Sequence, residues 1–88
     1  MRILVVEDNP SVAASVRAIL EDRKFAVDVA EDGDAGLDYL LRDAHQMAIL
    51  DVVLPKRDGF SIAKEARAHG LQIPILMLTA RDAVEDLV

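Results

Sequence analysis

The 88-residue chain contains no cysteine, and its aromatic residues are one Tyr and two Phe. Without cysteine there is no disulfide framework, no thiolate metal site and no Cys nucleophile, which suits a reducing compartment. So few aromatics leave the core to aliphatic side chains. With 52% hydrophobic and 30% charged residues, the composition is nevertheless that of a globular domain rather than a disordered one. Positive charge is also short: 10 Lys and Arg stand against 16 Asp and Glu, for a net charge of -6. That deficit argues against this segment gripping nucleic acid or an anionic membrane by itself, since both need clustered Lys and Arg. Cations and basic partner surfaces suit it better. No long apolar run is present. The N-terminal run Ile3-Leu4-Val5-Val6 is too short for a signal peptide or a membrane span, so a cytoplasmic location is expected. The length allows one domain with a thin core.

No linker or low-complexity tract divides the chain. Instead, short apolar runs alternate with segments of helical period. Ile3 to Val6 reads as a strand buried on both faces, ended by the acidic pair Glu7-Asp8. Asn9-Pro10 then starts a helix over about Ser11 to Asp22, with Asn as cap and Pro at the first helical position. Val12, Val16, Ile19 and Leu20 are its expected buried face. Ala26 to Ala30 alternates, as an edge strand does. Asp32-Gly33-Asp34 is a turn and cap before a helix of roughly Ala35 to Arg42 that is expected to bury Leu37, Leu40 and Leu41. Met47 to Leu50 is a second doubly buried strand, and it runs straight into Asp51. Pro55 and Asp58-Gly59 mark a loop and a further cap, and a helix from about Phe60 to His69 stops at Gly70. Ile73 to Leu78 is the fourth strand, ending in Thr79. Asp82 and Glu85 form a capping-box opening of another helix.

Strands alternating with helices predict an α/β fold, a doubly wound parallel sheet, and right-handed crossovers leave few possible orders. The order 2-1-3-4 puts the alternating strand at an edge. It also puts the topological switch point between the carboxyl ends of the first and third strands, where Glu7, Asp8 and Asp51 converge. Three carboxylates so crowded repel one another unless a cation sits among them, and an all-oxygen donor set is what Mg²⁺ prefers. His45 and His69 fall outside this cluster and read as solvated helix-end residues. Thr79 ends the strand beside Asp51, so its hydroxyl can reach an oxygen on whatever Asp51 carries.

Three segments together carry a resemblance: Ile3-Leu4-Val5-Val6-Glu7-Asp8-Asn9; Leu50-Asp51-Val52-Val53-Leu54-Pro55 with Asp58-Gly59; and Pro74-Ile75-Leu76-Met77-Leu78-Thr79-Ala80-Arg81. The whole chain resembles the receiver domain of bacterial two-component response regulators, and the last segment with Asp82 to Asp86 looks most like the OmpR/PhoB subfamily of transcriptional regulators. The resemblance implies a flavodoxin-like fold and a phosphoacceptor, Asp51, that takes a phosphoryl group from a sensor histidine kinase. It implies Mg²⁺ held by Asp8 directly, by Glu7 through water, by Asp51 and by the backbone carbonyl of Val53. Thr79 would be the switch residue, and Val53 and Arg81 would flank the site. Lys56 would either help attract the donor or remain a solvated loop residue.

The family pattern continues where this sequence stops. The expectation is therefore the N-terminal part of a receiver, residues 1–88, lacking the fifth strand and helix. Its output domain, which would bind DNA in a parent regulator, would also be absent. The fourth strand would then expose an apolar edge through which the chain self-associates. A haloacid-dehalogenase-like phosphatase would want a second Asp two residues after Asp51, where this chain has Val53. A Rossmann-type nucleotide module would want a Gly-rich turn where Glu7-Asp8-Asn9-Pro10 stands. A structural fragment with an idle acid pocket is the remaining alternative.

Overall fold

The computed structural model describes residues 1–78. Thr79, Arg81 and the helix opening at Asp82 lie outside the described residues. Within them the chain forms β1 (Arg2–Val6), α1 (Pro10–Asp22), β2 (Ala26–Ala30), α2 (Gly33–Leu41), β3 (Met47–Asp51), α3 (Gly59–Ala68) and β4 (Ile75–Leu78). The four strands make one sheet of order β2-β1-β3-β4. All three pairings are parallel, with Ile3 opposite Val27 and Met47, and Ala48 opposite Ile75. This is the doubly wound arrangement predicted, with the alternating strand at an edge. β4 starts at Ile75 rather than Ile73 because Pro74 has no N–H to give the ladder; its carbonyl instead accepts the Ala48 N–H at 3.0 Å.

Residues on the two faces of the strands build two cores. On one face Ile3, Val5, Val27 and Ile49 pack with Val16, Leu20 and Phe25 from α1 and its exit. On the other, Leu4, Val6, Ala48 and Leu50 meet Leu40 of α2 and Ile62 and Ala66 of α3. A chain of this size has little surface to hide, and β1 is buried from Ile3 to Val6.

Three expectations about burial are corrected. In α1, Val12 is 42% and Ile19 63% exposed, while Ala13 is buried. The helix presses on the sheet through Ala13, Val16 and Leu20, so the larger residues to either side of that stripe are left outside it. Leu41 is 40% exposed for a similar reason. α2 approaches the sheet along Gly36 and Leu40, so closely that a Cβ at Gly36 would lie 2.8 Å from the side chain of Val6. His45 is not solvated but only 5% exposed. Its Nε2 lies 2.8 Å from Asp28 Oδ2, and its ring meets Tyr39 edge-on, with centroids 5.9 Å apart. A neighbouring strand thus supplies the partner that allows an imidazole to be buried. His69 does stand exposed at the end of α3.

Candidate functional site

The chain turns out of β1 at Val6, and the Glu7 N–H is still held to the Ala30 carbonyl at 3.0 Å. The acidic pair is therefore fixed by the sheet rather than by a free loop. Glu7 is buried, whereas Asp8 is exposed. Asn9 serves both neighbours. Its side-chain oxygen accepts the N–H groups of Ser11 and Val12 and so starts α1, while its own N–H donates to Glu7 Oε2 at 3.0 Å.

Asp51, the last residue of β3, is half-buried. Its Oδ1 takes a long hydrogen bond from the Val53 N–H at 3.4 Å. One carboxylate oxygen from each of Glu7, Asp8 and Asp51 lies within 4.8 Å of the other two. Burial pushes the Glu7 carboxyl up from its usual range, and the charges of Asp51 and Asp8 add to the effect against the opposing Asn9 N–H. A donor set made only of oxygens, short of positive charge, suits a hard divalent cation. The acids open into a groove of about 480 Å³ lined also by Asn9, Val12, Val53 and Leu78.

The geometry thus brings together Glu7, Asp8, Asp51 and Val53. It does not bring Lys56 to them. Lys56 is exposed, pairs with Asp32 at 3.6 Å and lines a separate surface hollow with Arg57, Asp58 and Ser61. Thr79 and Arg81 are outside the described residues. Three lining residues escaped the sequence reading, Leu78 because it was read only as part of the fourth strand. Val12 carried a signal that pointed to the core, namely an apolar residue at helical spacing. Asn9 was legible as a cap, but its bond to Glu7 depends on a tight turn that spacing does not show.

Comparison with known proteins gives the same picture. Residues 3–88 match the response regulator receiver domain. The transcriptional regulatory protein DltR of Streptococcus agalactiae is 47% identical over 88 residues, which is 100% of this chain and 39% of that protein. This chain therefore spans well under half the length of that curated relative. The BeF3-activated receiver domain of RstA from Klebsiella pneumoniae superposes with a TM-score of 0.88 at 30% identity, covering 98% of this chain and 73% of that one. TrrA from Thermotoga maritima, solved in complex with Mg²⁺ and beryllofluoride, superposes at 0.87 with 30% identity over 97% of this chain and 75% of its own. Taken with the parallel sheet and the acids at its switch point, the match over nearly every residue shows that the chain belongs to the response regulator receiver domain family.

Proposed function

We propose that this chain is a phosphoacceptor. In this reading Asp51 receives a phosphoryl group from a phosphohistidine of a sensor histidine kinase, with Mg²⁺ held by Glu7, Asp8, Asp51 and the carbonyl of Val53. The observation that carries the reading is the convergence of three carboxylate oxygens within 4.8 Å at the carboxyl ends of two adjacent strands, in a chain of the receiver family.

When bound, Mg²⁺ would offset the negative charge of the carboxylates and of the incoming phosphoryl group. The remaining work falls to the chain. β3 presents Asp51 at the floor of the groove, and a carboxylate oxygen attacks phosphorus in line. The O–P bond forms as the P–N bond to the donor imidazole breaks, and the imidazole leaves with its electron pair. Asp8, which is exposed, is assigned direct contact with the cation, and buried Glu7 contact through water. Thr79 is assigned the switch role and Arg81 a flanking one, while Lys56, paired to Asp32, is assigned no part in the transfer. The chain takes part in its own phosphorylation and turns over no separate substrate.

Phosphoramidate, whose P–N bond imitates the natural donor, supplies the test. One phosphoryl group should be gained, and hydroxylamine should remove it, as it does acyl phosphates. An adduct stable to hydroxylamine would place the phosphoryl group on a hydroxyl and refute the assignment.

In the longer regulator the domain would be cytoplasmic and would control a DNA-binding output, in keeping with the transcriptional relative DltR. Residues 1–88 would then be the N-terminal part of its receiver domain. No helix among the described residues is long and apolar enough to cross a membrane. We also assign self-association to β4, which among the described residues pairs with β3 alone and carries the half-buried Leu76 and Leu78. Sedimentation at tens of micromolar should show dimers or larger species, and a monomer would refute this.

A further inference from the structure

The loop that leaves Asp51 is tied down at two points. The Gly59 N–H donates to the Val52 carbonyl at 2.9 Å, while Asp58 caps α3 by accepting the Ser61 N–H at 2.8 Å. At the other point, the Pro55 carbonyl accepts two N–H groups, from Arg57 at 2.8 Å and from Gly33 at 3.0 Å. The bond from Arg57 closes a three-residue γ-turn whose central residue, Lys56, has φ 71°. A residue with a side chain is strained there and stays only where its surroundings over-determine it.

The N-cap and first turn of α2 supply those surroundings. Besides the Gly33 N–H, Asp32 pairs with Lys56 at 3.6 Å and Asp34 with Arg57 at 3.7 Å. The approach is close enough to require glycine: a Cβ at position 33 would sit 2.6 Å from Arg57 Cβ and 2.7 Å from its carbonyl carbon. Between the tied carbonyls of Val52 and Pro55 lie only Val53 and Leu54. The Val53 peptide therefore has little slack of its own.

We propose that Gly33, aided by Asp34, is a positioning residue for the Val53 carbonyl, acting through the Pro55 carbonyl and the strained turn at Lys56. This rests on the reading of Val53 as a metal ligand. Gly33 does not line the acid groove; it acts from the start of α2, much as an outer partner orients a ligand that touches a metal.

The test is Mg²⁺ affinity of the folded chain, measured by titration calorimetry beside melting temperature. Gly33→Ala should bind Mg²⁺ roughly 10-fold more weakly, the loss typical of a displaced outer partner. Leu37→Ala, which loosens the same helix from the core, should melt lower and keep its affinity. Two substitutions at Lys56 separate backbone from side chain. Lys56→Val disfavours the left-handed turn and should weaken Mg²⁺ binding in the same way, whereas Lys56→Gly accepts the turn and should bind as wild type does. Wild-type affinity in folded Gly33→Ala or in Lys56→Val would overturn the proposal, and the Lys56 pair decides if Gly33→Ala does not fold. A wild-type chain that binds no Mg²⁺ would overturn the acid-site reading as well, and that outcome is distinct from a failure confined to Gly33.

Discussion

Asp51 sits among like charges, and this sets its energetic signature. Two unit charges about 4 Å apart in water repel by about 1 kcal/mol, and the three carboxylates converge within 4.8 Å. Asp51→Asn should therefore raise stability by roughly 1 kcal/mol in the absence of divalent cations, as read by chemical denaturation. The same substitution should abolish any rise in melting temperature on adding Mg²⁺, which in the wild type reflects a stabilisation of about 2.7 kcal/mol when the ion stands 100-fold above its Kd. Asp28 behaves in the opposite sense. Partial burial works against its charge, but hydrogen bonds from His45 and Arg2 prevail and hold its carboxyl below the usual range. Its contribution is therefore fully present above the ordinary aspartate range and is lost as pH falls through the depressed folded value. Asp28→Asn should cost roughly 1 to 2 kcal/mol at neutral pH, and the gap to wild type should close in strong acid. Glu7, Asp8 and Asp51 were legible in the sequence because each stands where an apolar run stops. Buried His45 was not, because its partner Asp28 is 17 residues away and only the strand order brings the two together.

Each helix is bounded by chemistry that spacing predicts well. Asn9, Asp32 and Asp58 all accept backbone N–H groups as N-caps. At the end of α3 the Gly70 N–H bonds Arg67 and the Leu71 N–H bonds Ala66, with Gly70 at φ 82°, which is the Schellman arrangement. α1 ends in the same pattern, Lys24 to Glu21 and Phe25 to Leu20, but its left-handed residue is Lys24 at φ 73°. Glycine relieves that cost, so Lys24→Gly should stabilise the chain by about 0.5 to 1 kcal/mol, seen as a higher denaturation midpoint with an unchanged slope. A lower midpoint would mean that the lysine side chain contributes more than its backbone costs. Helix faces were less legible than helix ends. Caps act within four residues of one another. Which side of α1 is buried depends instead on how near it lies to the sheet, and that distance is set by Ala13 rather than by the larger Val12 and Ile19.

The topology of the sheet accounts for the site as a whole. α1 packs on one face and α2 and α3 on the other, so the chain reverses direction between β1 and β3. The crevice at their carboxyl ends is where such sheets gather their ligands. Strand order was readable because β1 is apolar from Ile3 to Val6 and β3 from Met47 to Leu50, whereas β2 alternates. The contact of Gly33 with Pro55 was not, since the two are far apart in the chain and only the fold brings them together. The most direct test is intact mass after incubation with acetyl phosphate, with Mg²⁺ or with chelator, for wild type and Asp51→Asn. A single phosphoryl group on the wild type in Mg²⁺, and none in the other three samples, is the expected result. Equal labelling of Asp51→Asn, or labelling indifferent to chelator, would contradict the assignment of Asp51 and its neighbouring acids as a cation-assisted phosphoacceptor.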